Sequence, residues 1–277
     1  MGNVYAYIYT LQSKKGLICT IVRFLSYAQP IVFHGKIIDQ SGRPVYSVKA
    51  SLKWNDPLPD PPQSTTTFSD EEGLFSLNGV TGRILWLSLE KQDFYVSRSN
   101  RLDFQFSPYD RQVDAENPIL FHLRKMGPGT DLVTSQHGVR DYESIIAPKD
   151  GTQAFLDFLN SNTGIKGQLI IMNIKPLDGK QRTDWSFMLS VPDGGLVEHH
   201  EEFPFEAPDT GYKSAVEFKF DKTSDNWVAG FKKDFYIVFG QPKKYGRIHV
   251  ETDTYTSGAR IHYAINPNGS RYLESKQ

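Results

Sequence analysis

The chain predicts an all-β fold built of two β-sandwich domains. Extended runs alternate apolar and polar residues, the period-2 pattern of half-buried strands. Gly, Asp and Pro turn residues punctuate those runs at intervals of roughly 8–12 residues, the spacing of sandwiches and barrels. No period of 20–50 residues repeats, which sets aside solenoids and propellers. A length of 277 residues allows one or two domains, each able to bury a core. Aromatic residues make up 13% of the chain, so it is globular rather than disordered.

Residues 1–30 differ in character. They hold Lys14, Lys15 and Arg23 and no acid, so the rest of the chain carries a net charge of −4. The two lysines precede the apolar stretch Gly16–Leu25, and Ser26-Tyr27-Ala28 has the small-x-small form of a cleavage site. Residues 1–28 therefore read as a secretory leader with Arg23 interrupting its core. An ordinary basic strand, or a start codon placed too far upstream, is the competing reading. Cys19 is the only cysteine. Ile18 stands where a lipoprotein would have a small residue. A mature chain without the leader has no disulfide and must rest on core packing.

The first domain is expected over 29–124. Val32–Ile38 alternates, and Asp39-Gln40-Ser41-Gly42 is a turn, Asp bonding the backbone ahead and Gly accepting positive φ. Pro44 opens a second run to Trp54, with Val48, Ala50, Leu52 and Trp54 on one face. Asp70-Glu71-Glu72-Gly73 joins Thr65–Phe68 to Leu74–Leu77 and reads as a hairpin. Gly79 and Gly82 bracket the turn before Ile84–Leu89.

The phrases G-K-I-I-D-Q-S-G-R-P-V (residues 35–45), T-F-S-D-E-E-G-L-F-S-L (67–77) and L-S-L-E-K-Q-D-F-Y-V (87–96) carry a resemblance. Residues 31–124 resemble the carboxypeptidase regulatory-like domain. The resemblance implies a transthyretin-like, seven-stranded sandwich that accompanies peptidases, receptors and bacterial surface proteins without being catalytic itself. The Pro-rich insert Asn55–Gln63 and Tyr46 depart from that pattern. The C-terminal half is similar to uncharacterised bacterial secreted proteins that carry the same first module, through D-W-S-F-M-L-S-V-P-D-G-G-L-V-E, E-F-P-F-E-A-P-D-T-G-Y and I-N-P-N-G-S-R-Y-L-E. That second resemblance implies pairing of the modules and no activity.

Residues 125–150 read as a linker, opened by Met126-Gly127-Pro128-Gly129. So long a segment is expected to pack in part on the second domain as an extra strand. Thr152–Leu159 fits a short helix or a strand. The second domain, 151–277, offers seven or eight strands and reads as a jelly-roll-like sandwich. Its clearest runs are Asp184–Val191, with Trp185, Phe187, Leu189 and Val191 on one face, and Ala215–Phe220, with Val216, Phe218 and Phe220 on one face.

The net charge of −1 argues against a nucleic-acid binder, which needs a strong positive field. No run of about 20 apolar residues is present to span a membrane as a helix. Neither a phosphate loop nor Gly-x-Ser-x-Gly occurs. His199 and Glu202 have the H-x-x-E spacing of a metallocarboxypeptidase zinc site. A zinc site also needs a third ligand, an acid and a scaffold; His249 and His262 are possible distant ligands on strands, with nothing else in support. Asp221-x-Thr223-x-Asp225 opens like a calcium loop, yet Asn226 replaces the turn glycine and Lys232 the bidentate Glu. No cofactor is expected. Lys232-Lys233 and Lys243-Lys244 flank one hairpin as a small basic edge.

Aromatic side chains are the remaining candidates, because sugar rings stack on exposed aromatic faces. Trp86 and Trp185 sit on alternating strands and are expected in the core. Trp54 ends a strand beside Asn55-Asp56-Pro57, Trp227 follows a polar turn, and Tyr212, Tyr245 and Tyr255 lie near turns. Each of these five is a candidate contact or else a rim residue with its polar tip in water. The expected role is a secreted, periplasmic or cell-surface binding protein, non-catalytic, for polysaccharide or an envelope protein. A structural spacer or assembly module is the alternative, and a metal-dependent hydrolase ranks third. Oligomeric state is left open.

Overall fold

The computed structural model describes residues 6–12, 18–24, 29–55, 61–107, 115–135, 142–164, 166–175 and 182–276. Every helix-or-strand element among them is a β-strand. The chain divides into two compact units, Met1–Met126 and Gly127–Gln277.

The first unit opens with a hairpin of β1 (Ala6–Gln12) and β2 (Ile18–Phe24), paired antiparallel from Ala6↔Phe24 to Gln12↔Ile18. Residues 26–28, the expected cleavage site, lie outside the described residues. Eight strands follow: β3 (Gln29–Ile38), β4 (Lys49–Asn55), β5 (Gln63–Phe68), β6 (Leu74–Gly82), β7 (Ile84–Glu90), β8 (Phe94–Val96), β9 (Asp103–Gln105) and β10 (Ile119–Lys125). They form two four-stranded sheets, β6-β3-β10-β8 and β5-β4-β7-β9. Within them only β3 and β10 pair in parallel.

The core lies between the sheets. Ile31, Phe33 and Ile37 from β3 share one core cluster with Val48, which precedes β4, and with Ala50 and Leu52 of β4. Phe33 packs edge-on against Phe104 at 4.9 Å. Gly35 sits on the inward parity of β3, where an added Cβ would strike the Phe75 ring and approach Phe121 to 2.9 Å. Its missing side chain lets those rings close over the strand.

Both Asp-x-x-Gly turns have a direct physical cause. Asp39 Oδ1 accepts from the backbone N–H of Ser41 (2.7 Å) and Arg43 (3.0 Å), and Oδ2 accepts from Arg43 Nε (3.0 Å). Burial pushes the Asp39 carboxyl up, but the backbone and side-chain bonds from Arg43 and Ser41 outweigh it and hold it below the usual range. Asp70 Oδ1 accepts from Leu74 N (2.7 Å) and Glu72 N (3.1 Å). Gly73 has φ +75° and lies against the Ile37 carbonyl, where no Cβ fits. This turn does not close a hairpin, contrary to its sequence pattern. β5 pairs with β4 and β6 with β3, so residues 69–73 carry the chain from one sheet to the other. Ser69 anchors the crossing: its buried hydroxyl accepts from Val48 N (2.8 Å) and donates to Val45 O (2.7 Å).

The second unit contains β11 (Val133–Thr134), β12 (Glu143–Ile145), β13 (Ala154–Asp157), β14 (Asn162–Gly164), β15 (Leu169–Ile174), β16 (Trp185–Ser190), β17 (Gly194–His199), β18 (Ala215–Phe220), β19 (Gly230–Phe239), β20 (Lys244–Asp253) and β21 (Ala259–Asn266). A six-stranded sheet runs β11-β21-β20-β19-β17, with β12 also on β21; a five-stranded sheet runs β14-β13-β15-β16-β18. Residues 151–277 hold nine of these strands, more than the expected seven or eight, because β13 and β14 are too short to show a period. The linker supplies the expected extra strand twice over, as β11 and β12. Thr152–Leu159 resolves as strand β13 and a turn.

Aromatic rings fill the space between these two sheets. Trp185 stacks on Phe220 at 4.4 Å, Phe187 meets Phe231 edge-on at 5.6 Å, and Phe158 stacks on Phe239 at 5.7 Å. Each fully buried large apolar side chain contributes roughly 1.5–3 kcal/mol. Lys232 and Lys243 lie at opposite ends of the β19–β20 hairpin, so the two lysine pairs do not make the expected basic edge.

Candidate binding face

Of the five candidate aromatics, one stands open to solvent. Trp54 is 5% exposed, on the inward parity of β4 with Val48, Ala50 and Leu52, so its ring belongs to the core and not to a solvent-facing strand end. Its Nε1 has no hydrogen-bond partner. Tyr245 is also buried, in a small cluster with Ala207, Tyr236, Val238 and Leu273. Tyr212 is half-buried against that cluster, its hydroxyl donating to Pro208 O at 2.9 Å, and burial raises its ionisation well above the usual range. Trp227 is half-buried against the main core, with Nε1 donating to Thr183 O at 2.8 Å. Tyr255 is 64% exposed. Trp86 reverses its expectation: it is 37% exposed, because Leu85, Leu87 and Leu89 take the inward parity of β7.

The six-stranded sheet gathers more chemistry than any of these residues alone. Phe235, Ile237, Ile248, Val250, Ile261 and Tyr263 face the core. The alternate positions of β19, β20 and β21 therefore face outward. Near the β19–β20 turn this outer face carries Tyr236, Val238 and Tyr245, which are buried in a cluster with Ala207 and Leu273. Towards the other end it is polar. Pairing aligns His199↔Asp234↔His249↔His262 across four strands. The next row is Lys232↔Glu251↔Arg260.

These side chains hold one another. His249 Nδ1 lies 2.8 Å from Asp234 Oδ1, and Nε2 lies 3.3 Å from Glu251 Oε1. Glu251 also receives Lys232 at 2.6 Å and Arg260 at 3.6 Å. The Asp234 bond, partly offset by burial, raises the His249 ionisation above its ordinary value. The same bond lowers Asp234. The His262 ring sits 5.6 Å from His249 and 5.7 Å from Tyr142, and Arg260 lies over Tyr142 at 5.7 Å.

His199 stands at the far end of the row. Its ring stacks on Tyr236 at 4.1 Å, and Nδ1 accepts from Glu201 N at 3.3 Å. Burial lowers its ionisation below the ordinary value. Among the described residues no three His, Cys, Asp or Glu side chains group to hold a metal ion, so His199 and Glu202 gain no third ligand. Asp221 instead caps its own turn, accepting from Thr223 N and Oγ1 at 2.7 Å. The His–Asp–His alignment was beyond sequence reasoning, since His249 and His262 become neighbours only through strand register.

Below the Lys232–Glu251–Arg260 row is a hollow of about 270 Å³, lined also by Gly230, Phe231, Thr252, Asp253 and Thr256. The loop after β20 forms one side of it. Asp253 Oδ1 accepts from Tyr255 N (2.9 Å) and Thr256 N (2.7 Å). Lys175, 5% exposed, reaches the same loop from within. Its ammonium donates to Thr252 Oγ1 (2.8 Å), Gly258 O (3.0 Å) and Thr256 O (3.4 Å). Burial pulls its ionisation down to about 8.

No protein-family model matches this chain. No curated protein matches it either. Among solved structures, the shaft pilin SpaA from Lactobacillus rhamnosus GG aligns over 90% of this chain and 99% of that one. The identity is 10% and the TM-score 0.26, an overlap from which nothing about this chain follows.

Proposed function

We propose that this is a secreted or cell-surface, non-catalytic binding protein whose second unit contacts polysaccharide or an envelope protein through the outer face of its six-stranded sheet. The observation that carries the reading is the interlocked polar half of that face. Its donors and acceptors are held in place by one another on three paired strands, so little side-chain freedom remains to be lost on binding. The resemblance of residues 31–124 to a non-catalytic accessory domain supports the compartment. The test is retention of the full chain on insoluble polysaccharides and on isolated cell envelopes. Saturable retention on either supports the reading, and no retention on any of them overturns it.

The assembly-module reading draws on a different observation. β5, Gln63–Phe68, is an edge strand without a charged residue and is exposed along nearly its whole length. Edge strands commonly carry charge to deter pairing. Concentration-dependent self-association that Thr66→Lys abolishes is the outcome expected if β5 is an assembly edge.

A further inference from the structure

We infer that the hollow between the Lys232–Glu251–Arg260 row and the Asp253–Gly258 loop is a subsite for a neutral saccharide, with Tyr255 as its stacking ring. The inference rests on the binding role proposed above and names its ligand class and place.

Four features of the hollow point to this ligand. Its volume of about 270 Å³ suits one or two sugar rings and not a folded partner. Lys232 and Arg260 supply donors, and Glu251 and Asp253 supply acceptors. The lining's own two cations and two carboxylates balance, so these four side chains favour neither an anion nor a cation. Sugar hydroxyls both donate and accept, and alternating donors and acceptors match a pair of neighbouring hydroxyls. Finally, Tyr255 directly precedes the lining residue Thr256 in the chain, outside the lining itself, and is the most exposed of the aromatic candidates. Its ring can offer an apolar face with a polar tip.

The loop is held from both sides. Asp253 fixes its start through two backbone N–H groups. Lys175 fixes it from the interior through Thr252, Thr256 and Gly258, and Thr252 Oγ1 itself donates to Gly258 O at 2.8 Å. Three donors of one ammonium thus meet three acceptors, a full complement for lysine. From inside the loop Lys175 also interacts electrostatically with Asp253. It acts as a positioning residue for the loop that carries Tyr255 and Thr256.

Affinity electrophoresis of the full chain in gels holding laminarin, dextran, xylan or alginate tests the inference. Binding to a neutral polymer is expected, weakened about tenfold or more by Tyr255→Ala and by Arg260→Gln. Trp86→Ala, in the other unit, is expected to bind like wild type. Lys175→Met should weaken binding by a smaller factor. Combined with Tyr255→Ala it should add little, since both changes act through the same ring. Neutral-polymer binding that survives Tyr255→Ala and Arg260→Gln overturns this subsite and leaves the binding role standing. Binding confined to alginate overturns the neutral ligand class. Retention on envelopes with no binding to any of the four polymers overturns the saccharide subsite and directs the same face to a protein. Loss of retention on every material overturns the binding role as well.

Discussion

The two units solve the same problem differently. In the first, each sheet buries one face, and inward residues alternate with outward ones along β4 and β7 almost without exception. In the second, the six-stranded sheet is buried on both faces at one end and on one face at the other. β19 shows the change within a single strand. Asp234 is exposed, whereas Phe235 to Phe239 are all buried. The outer cluster around Tyr236, Val238 and Tyr245 is what buries the second face. A period-2 pattern thus marks where a sheet faces water, and its loss marks where chain lies on top. The candidate binding face is the half of the six-stranded sheet where the alternation persists.

The largest effect separates two tryptophans of the first unit. Trp54→Ala removes a core ring and is expected to cost about 3–5 kcal/mol. Trp54→Phe should keep most of that stability, since Nε1 has no partner to lose. Calorimetry of the first unit's transition measures both. In the second unit, Tyr236→Ala should cost about 3–4 kcal/mol, as a core substitution does. Tyr236→Phe, which loses only the bond to Glu201 (2.7 Å), should cost about 1.5–3 kcal/mol. A negligible loss from Tyr236→Ala in urea unfolding would mean that the outer cluster is not a second buried face.

The next effect is a pH dependence of opposite sign at two histidines of one row. His249 is raised, so its advantage over His249→Gln is full below about pH 6.5 and is lost as pH rises through the folded value. Its size is expected to be about 1 kcal/mol or less, as for other partly exposed pairs. His199 is lowered, so the folded state resists its protonation. Wild type should therefore lose stability relative to His199→Gln as pH falls below about 6.5. Denaturation midpoints between pH 5 and 8 decide it: parallel profiles for the two variants would contradict the row's geometry. The smallest effect belongs to Trp86→Ala. An outward side chain on a solvated face should change stability by about 0.5 kcal/mol or less, and a larger loss in the same calorimetry would show Trp86 to be part of the core.

Much of the fold was legible because a strand's parity is written in its own residues. Val48, Ala50, Leu52 and Trp54 declared one face, and Trp185, Phe187, Leu189 and Val191 another. The same rule also held the answer for Trp54 and Trp86. Trp54 shares parity with three apolar neighbours, whereas Trp86 lies between leucines of the opposite parity. Position beside a turn was the weaker guide, because inward parity can bury the last residue of a strand. Turn chemistry was legible locally and not in its consequence. Asp70 and Gly73 specified a tight reversal, but that β6 pairs with β3 and not with β5 is decided by contacts with a distant strand, where Gly73 lies against the Ile37 carbonyl.

The sequence by itself determined that the chain is all-β, where most long strands lie, which faces are apolar, and that its formal charge is nearly balanced. Only the tertiary structure decided the strand register that lines up His199, Asp234, His249 and His262 from segments as many as 63 residues apart. It alone decided that the C-terminal segment and residues near 207 bury Tyr236 and Tyr245, and that Lys175 reaches the loop carrying Tyr255. The reason is physical. Parity and turn propensity are set by neighbours along the chain, whereas register and coverage are set by the packing of distant segments, whose contacts leave no periodic trace in any one of them.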